Sequence, residues 1–262
     1  MTRNVPARAA IVLFLLFFLG LAVTLFAFID LRWTHWVFTT ASVLGPGPSK
    51  HDAAPVDPND VQRLRKSILN VRVDQCGSVN EAVGTGFVVK AGYVATAAHV
   101  LGNSRSCNGA IRLIDSGGLE HNATIVDVND ADDLAILRLP DMSLPALLLA
   151  DAALYESPGA MARLVTIGYP LESEGASAPD SAAISGEGSL SRYDHDRNVF
   201  VTSGLNLNPG NSGGPIFVRD NWTVLGIARS KLPNAVGDGI GFVASIRAFE
   251  NFFRHATGEE LR

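Results

Sequence analysis

Short apolar runs and turn residues alternate along most of this chain. Eleven runs rich in Val, Ile and Leu lie between residues 68 and 244, and pairs such as Asn129-Asp130 and Asp220-Asn221 separate them. Short strands bounded by turn residues, without a βαβ rhythm, are typical of all-β sandwiches and barrel pairs. The predicted strands are Ile68–Val73, Gly86–Val89, Tyr93–Ala97, Ala110–Ile114, Ala123–Val128, Leu134–Leu139, Arg163–Ile167, Val199–Thr202, Pro215–Val218, Val224–Ile227 and Gly241–Val243.

The pattern changes after the last predicted strand. Ile246, Phe249 and Phe253 recur at helical spacing, and Ser245 precedes them as a candidate cap. A serine at this position accepts a hydrogen bond from the first turn, and apolar residues three and four apart share one helix face. We therefore expect one C-terminal helix over about residues 245–256.

The longest apolar run stands at the start of the chain. Ala9–Ile29 contains 21 residues without a charge, and a helix of that length spans about 30 Å, the thickness of a bilayer core. Arg3 and Arg8 precede it, so the positive-inside rule keeps residues 1–8 in the cytoplasm and sends the rest across. A cleaved signal peptide is the alternative, but its apolar region covers only about 7–15 residues. We expect an uncleaved transmembrane anchor.

The composition of the residues after the predicted anchor indicates a linker followed by one folded domain. Residues 43–60 contain four prolines and two glycines, so residues 30–60 are interpreted as a juxtamembrane segment and linker before one domain over 61–262. With 47% hydrophobic and 18% charged residues, the chain is not disordered. Beyond residue 50 it carries 17 basic and 25 acidic residues, which argues against a nucleic-acid partner.

The sharpest chemical signal is the segment Gly210–Pro215, in which Ser212 lies among glycines. A glycine-rich turn can project a hydroxyl and gather N–H groups around one point, although a plain turn between strands has the same composition. A serine hydroxyl needs a base. His99 alone among the six histidines ends an apolar strand, and Asp132 and Asp133 begin another. The order His, Asp, Ser suggests a catalytic triad.

Four motifs in this order resemble one known family. They are Gly84-Thr85-Gly86-Phe87, Thr96-Ala97-Ala98-His99-Val100, Asp133-Leu134-Ala135-Ile136-Leu137 and Asn208-Pro209-Gly210-Asn211-Ser212-Gly213-Gly214-Pro215. Over about residues 65–255 the chain resembles the protease domain of the HtrA/Deg group of chymotrypsin-like serine proteases. The resemblance implies an all-β fold of two six-stranded antiparallel β-barrels, with the active site in the cleft between them. His99 and Asp133 would come from the first barrel and Ser212 from the second.

The resemblance also implies the role of each residue. Ser212 would attack the scissile carbonyl, His99 would accept and return its proton, and Asp133 would hold the imidazole tautomer. The backbone N–H groups of Gly210 and Ser212 would form the oxyanion hole. Asp132 is the alternative acid, but Asp133 directly precedes Leu-Ala as the family motif requires.

Departures from trypsin bear on specificity and maturation. Asn206 stands six residues before the serine, where trypsin has the acid that selects basic residues, so small or aliphatic residues are expected before the cleaved bond. Ile227 and the unusual Arg229 complete the predicted substrate-binding set. Asn211 replaces the aspartate that pairs with a new N-terminus in trypsin-type zymogens, so we expect no such activation.

Two cysteines, Cys76 and Cys107, flank the strand that carries His99. Outside the cytoplasm we expect them to form a disulfide; two buried thiols are the alternative. No H-E-x-x-H or phosphate-loop motif occurs, so neither a metal nor a cofactor is expected. HtrA proteins carry PDZ domains after the protease, and we expect none here, because the chain ends at Arg262.

Two other functional classes compete with the protease hypothesis. An α/β-hydrolase also uses G-x-S-x-G, but its order is Ser, Asp, His, and only His255 follows Ser212. A catalytically silent relative that binds or scaffolds at the membrane is the stronger alternative. We favour a serine endopeptidase of protein or peptide substrates, anchored by its N-terminal helix in an extracytoplasmic compartment such as the bacterial periplasm. Its role would be protein quality control or regulated proteolysis, and a homo-oligomer is compatible with the family.

Overall fold

The computed structural model describes residues 58–78, 81–140, 144–171, 182–205, 207–231 and 239–262. The predicted segments 1–8 and 9–29 and nearly all of 30–60 lie outside these residues. Within the described ranges, no helix has the length and apolar character needed to cross a bilayer. The first helix, α1 (Pro58–Arg65), begins three residues before the predicted domain boundary, because Val61 and Leu64 pack into the core.

Six antiparallel strands form the first barrel, in the order β1-β2-β3-β6-β5-β4. Pairing of β1 with β4, such as Val71 opposite Leu113, closes it. A one-turn helix, α2 (Ala98–Leu101), and a 3₁₀ turn (Gly102–Ser106) connect β3 to β4. The strands are β1 (Ile68–Asp74), β2 (Glu81–Lys90), β3 (Tyr93–Thr96), β4 (Ile111–Ile114), β5 (Glu120–Asn129) and β6 (Leu134–Arg138).

The second barrel also has six antiparallel strands, in the order β10-β11-β12-β9-β8-β7. Pairing of β10 with β7, such as Phe217 opposite Val165, closes it. A short helix, α3 (Ala153–Glu156), precedes the first of these strands. The strands are β7 (Arg163–Gly168), β8 (Ala183–Asp194), β9 (Val199–Ser203), β10 (Pro215–Val218), β11 (Thr223–Lys231) and β12 (Ile240–Ser245).

The two six-stranded antiparallel barrels confirm the predicted fold class. All eleven predicted strands are present, with ends that shift by a few residues. The twelfth, β8, was missed because most of its residues are exposed or half-buried and alternate polar with small side chains. A strand of this kind leaves no apolar run to find.

The barrels share a core because several strands of the first barrel are buried on both faces. Residues Leu134–Leu137 of β6 are all buried. Ala135 and Leu137 pack in the interior of the first barrel, whereas Leu134 and Ile136 pack in the cluster that fills the second. Since side chains alternate between the two faces of a strand, one strand serves both cores and fixes the barrels to each other.

The C-terminal helix, α4 (Ile246–Thr257), confirms the predicted one. The Ser245 hydroxyl accepts a hydrogen bond from the Arg247 N–H, and Gly258 ends the helix with φ at 72°. Phe249 and Phe253 are fully buried, and the Phe253 ring meets Tyr93 of the first barrel edge to face at 5.0 Å. The helix therefore packs against both barrels.

Cys76 and Cys107 form a disulfide, with their Cα atoms 6.0 Å apart. The bridge joins the end of β1 to the segment that follows α2. Gln75 reinforces this connection, because its side-chain amide donates to the Leu101 carbonyl (3.4 Å) and its oxygen accepts from the Asn103 N–H (3.1 Å). The helix that carries His99 is thus tied to β1 at its far end.

Reduction of the Cys76–Cys107 bridge should lower the free energy of unfolding by about 3 kcal/mol, because a closed loop of this size restricts the unfolded chain. Denaturant unfolding of the full chain in detergent, with and without reductant, measures the change. The double variant Cys76→Ser, Cys107→Ser is the control and should match the reduced protein in either condition. Equal stability of the oxidised and reduced wild-type proteins would contradict the stabilising role.

Candidate active site

His99 lies in the short helix that follows β3, and Asp133 lies immediately before β6. These strands are neighbours in the first barrel, with Thr96 opposite Ala135, so their ends bring the two residues together. The Asp133 backbone adopts a left-handed conformation, with φ at 56°, which aspartate tolerates better than most residues. This turn directs the carboxylate back toward the helix.

Asp133 holds His99 through both the ring and the backbone. The His99 Nδ1 atom is 2.8 Å from Asp133 Oδ2 and 3.0 Å from Oδ1. The His99 N–H donates to Oδ1 (2.9 Å), and the Ala98 N–H donates to the Asp133 carbonyl (3.2 Å). A proton on Nδ1 satisfies the carboxylate, which leaves the Nε2 lone pair free to act as a base. The imidazole is about half exposed, at 46% of its side-chain surface.

Asp132 is engaged elsewhere. Its carboxylate accepts a hydrogen bond from the Asn129 side-chain amide (2.9 Å), and its N–H donates to the Asn129 amide oxygen (3.1 Å). Asp132 therefore closes the turn between β5 and β6. The geometry accordingly pairs Asp133, and not the alternative Asp132, with His99.

Ser212 lies half-buried in the loop between β9 and β10. Gly210 and Gly213 on either side have φ angles of 87° and 82°, a region that favours glycine. A Cβ atom at Gly213 would collide with Thr96 Oγ1, and one at Gly210 would collide with the Tyr169 carbonyl. The sequence thus needs both glycines, since the loop turns tightly while touching backbone on both sides.

Two N–H groups of this loop suit a developing oxyanion. Among the described residues, neither the Gly210 N–H nor the Ser212 N–H donates a hydrogen bond to a protein acceptor. Between them, Asn211 is fully buried, and its amide oxygen accepts from the Ser185 hydroxyl (2.9 Å). A neutral amide thus occupies the position at which a trypsin-type enzyme, once cleaved, pairs an aspartate with its new N-terminus.

Thr85 of β2 joins the first barrel to this loop. Its N–H donates to the Ser212 carbonyl (2.8 Å), and its hydroxyl donates to the Gly210 carbonyl (2.6 Å). The same hydroxyl accepts from the Tyr169 N–H (3.0 Å), and the Thr96 hydroxyl donates to the Thr85 carbonyl (2.8 Å). Thr85 was recognised only as part of a motif, because its role depends on contacts more than a hundred residues away in the chain.

Tyr169 is a buried member of the core that the two barrels share. Burial raises the pKa of its phenol to about 12, so the group stays protonated at neutral pH. Its hydroxyl donates to the Ile68 carbonyl (3.4 Å). Within the described residues, no cluster of His, Cys, Asp and Glu side chains could hold a metal ion.

The predicted substrate-binding residues have three different outcomes. Asn206 lies outside the described residues. Ile227 is fully buried and pairs with Pro215 inside the second barrel, so its side chain does not line an accessible surface. Arg229 reaches the His99–Asp133 pair: its Nε is 3.7 Å from Asp133 Oδ2, and its Nη2 donates to the Ala131 carbonyl (3.3 Å).

A β-bulge explains the direction of Arg229. Ala228 pairs with Val243 of β12, Ser230 pairs with Phe242, and Arg229 is the extra residue between them. A bulge re-aims the side chain of the unpaired residue. The guanidinium therefore leaves the face of the second barrel and points at the carboxylate of the first.

Comparison with known proteins agrees with this geometry. A family model described as "Trypsin-like peptidase domain" matches residues 84–227, which is more than half of the chain and contains His99, Asp133 and Ser212. This chain belongs to the trypsin-like peptidase family.

Similar members of the trypsin-like peptidase family include HtrA proteins. "Serine protease HTRA3" of Rattus norvegicus is 34% identical over 165 residues, covering 61% of this chain and 34% of that protein. A "Probable periplasmic serine endoprotease DegP-like" of Chlamydia pneumoniae is 30% identical over 165 residues, covering 62% of this chain and 32% of that protein. This chain thus spans about one third of the length of these relatives.

Solved structures show the same fold. The serine endoprotease from Yersinia pestis superposes with a TM-score of 0.61 at 20% identity, over 78% of this chain and 68% of that one. The HtrA-type protease AlgW, solved with a tripeptide, gives a TM-score of 0.59 at 22% identity, over 77% and 64% of the two chains.

Loss of the Thr85 hydroxyl should destabilise this trypsin-like peptidase. Thr85→Val should lower the free energy of unfolding by about 2–4 kcal/mol, because the Gly210 carbonyl and the Tyr169 N–H then lose their buried partner. Thr85→Ser keeps the hydroxyl and is the matched control. Denaturant unfolding of the two variants beside wild type checks this, and equal stability of Thr85→Val and Thr85→Ser would contradict it.

Proposed function

We propose that this chain is a serine endopeptidase that cleaves protein or peptide substrates through His99, Asp133 and Ser212. The observation that carries the proposal is the two-point hold of Asp133 on His99, through the ring Nδ1 and the backbone N–H. This hold orients the ring and sets its tautomer, as the carboxylate of a Ser-His-Asp triad does. Membership of the trypsin-like peptidase family supports the same assignment.

The reaction would proceed in two halves. Ser212 Oγ attacks the scissile carbonyl as His99 Nε2 accepts its proton, and the negative oxygen is stabilised by the Gly210 and Ser212 N–H groups. His99 then gives the proton to the leaving amine, and the carbonyl carbon stays bonded to Ser212 as an acyl-enzyme. A water molecule, deprotonated by His99, releases the acyl group and restores the hydroxyl.

The β11 strand offers an edge for the substrate backbone. Pairing of β10 with β11 ends at Pro215 opposite Ile227, whereas β12 continues to pair with β11 as far as Lys231. Among the described residues, the stretch Arg229–Lys231 thus has one edge without a strand partner. An extended peptide can add to such an edge. In antiparallel orientation, its residues before the cleaved bond run along Arg229–Lys231, away from Ser212.

Variants of the triad test the proposal in the full chain, purified in detergent. Ser212→Ala should abolish hydrolysis of a quenched peptide and labelling by a fluorophosphonate probe, because both need the serine oxygen. His99→Ala should cost about as much, since such residues act as a unit. Asp133→Asn should lower kcat by about 10⁴, through the wrong histidine tautomer.

Asp132→Asn is the matched control, because it makes the same chemical change one residue away and disturbs only the contact with Asn129. Its kcat should stay close to that of wild type. A severe loss in Asp132→Asn with a mild one in Asp133→Asn would overturn the assignment of the acid. Absence of probe labelling in the wild-type protein would overturn the endopeptidase and favour the silent scaffold.

We further propose that the peptidase domain is held at the outer face of a membrane and serves extracytoplasmic quality control or regulated proteolysis. The uncharged run Ala9–Ile29 behind Arg3 and Arg8 supports the anchor, and the Cys76–Cys107 disulfide suits an oxidising compartment. The name of the Chlamydia pneumoniae relative contains the word "periplasmic".

Reporter fusions after Lys50 measure this topology in cells. Alkaline phosphatase, which needs disulfides, should be active, and a cytoplasm-dependent fluorescent protein should not, because the positive flank of the anchor stays inside. A deletion of residues 9–29 is the control and should invert both signals. Phosphatase inactivity with bright fluorescence in the undeleted fusion would contradict the proposed orientation.

A further inference from the structure

A cavity of about 250 Å³ adjoins Arg229, the arginine that faces Asp133, at the end of the β11-β12-β9 sheet. Two of the residues that line it are arginines: Arg229 from the bulge of β11 and Arg197 from the turn between β8 and β9. The half-buried Phe242 forms its apolar wall, and Val199, which is almost fully buried, adjoins it. No acidic side chain is among the described residues that line it, and the one described carboxylate that faces either arginine is that of Asp133, 3.7 Å from Arg229 Nε.

Both arginines have N–H groups without a hydrogen-bond partner among the described residues. The Arg229 Nε and Nη2 atoms face Asp133 and the Ala131 carbonyl, and Nη1 has no hydrogen-bond partner among the described residues. Arg197 makes no ion pair within the same part of the chain. The nearby Asp194 carboxylate is taken by Arg192 (3.3 Å). A guanidinium presents five N–H groups in a fixed fork that matches a carboxylate.

The place of the cavity relative to the proposed nucleophile limits what can enter it. None of its lining residues belongs to the loop Leu207–Gly214, so it does not receive the side chain next to the cleaved bond. It adjoins Arg229, where the free edge of β11 begins, and a substrate bound there runs from Ser212 along that edge. The side chain that reaches the cavity thus comes from the second to the fourth residue before the cleaved bond.

We propose that this cavity, lined by Arg197 and Arg229, binds an acidic side chain of the substrate, two to four residues before the cleaved bond. The inference rests on the proposed endopeptidase function and adds a specificity to it. Phe242 packs against the methylene groups of a glutamate, while the two guanidinium groups bind its carboxylate. Recognition through charge-assisted hydrogen bonds is selective, because a neutral analogue leaves the arginines without their partner.

Matched quenched peptides test the specificity in the full chain. They share one sequence and differ only by Glu, Gln or Lys at the second, third or fourth residue before the cleaved bond. At one of these positions wild type should prefer Glu over Gln by about tenfold in kcat/KM, chiefly through KM. Arg197→Gln should bring that ratio close to one, Arg197→Lys should keep part of it, and Arg197→Glu should reverse it in favour of Lys.

Arg163→Gln is the control variant, because it removes the same charge from an exposed site at the start of β7, where Arg163 pairs with Asp220. It should keep the wild-type preference. Ser212-dependent cleavage with no preference for Glu at any of the three positions would overturn the acidic specificity and leave the endopeptidase standing. An equal loss of preference in Arg163→Gln and Arg197→Gln would also overturn it, since the effect would then be the net charge of the domain.

A binding measurement separates the cavity from catalysis. In Ser212→Ala, fluorescence anisotropy of the Glu and Gln peptides should show about tenfold tighter binding of the Glu peptide, and a second change, Arg197→Gln, should remove the difference. If the wild-type protein does not cleave the peptides, this result would support acidic-side-chain binding in the cavity and overturn the proposed endopeptidase activity. Equal affinities for the two peptides would overturn the proposal that the cavity binds an acidic side chain, whether or not the wild-type protein cleaves them.

Discussion

Thr85 belongs to the first barrel, yet its N–H and its hydroxyl bond the loop that carries Ser212 in the second. His99 and Asp133 come from one barrel and Ser212 from the other, so their relative position depends on how the barrels are joined. A shared apolar core fixes the overall contact but is not directional. The hydrogen bonds of Thr85 supply the direction, because each has a defined donor and acceptor.

The same joint explains why small residues gather at this point. Gly84 and Gly213 allow β2 and the Ser212 loop to approach backbone to backbone, and a Cβ on either would meet Val100 or Thr96. Only at that separation can the Thr85 N–H reach the Ser212 carbonyl. The two backbones must therefore approach closely, bond in a defined direction and turn through left-handed conformations at the same place. The glycines and Thr85 together make this possible.

Sequence and structure agree where burial leaves a strong local pattern. The strand β6 is apolar throughout because it faces two cores, and the motifs around His99 and Ser212 combine unusual residues within a few positions. Agreement fails where a role depends on distant partners. The exposed strand β8 has no apolar run, Thr85 looks like any strand threonine, and Ile227 cannot be assigned to the core or the cleft without the barrel around it.

For Arg229, one property could be predicted from the sequence and another could not. An arginine at this position is unusual, and the sequence alone shows that. Its contact with Asp133 depends on a β-bulge, which the composition of the surrounding residues does not predict. The pairing of Ala228 and Ser230 with β12 holds the strand on either side of it.

That arrangement has a consequence for how such a domain can diversify. Residue 229 is outside the strand ladder, so a replacement there alters no strand pair and leaves the barrel intact. In β11, the hydrogen-bonded register and the side chain that faces Asp133 are thus set by different residues of the same strand. A lineage that carries this bulge can thus exchange the side chain that faces Asp133 without first having to change the strand pairs around it.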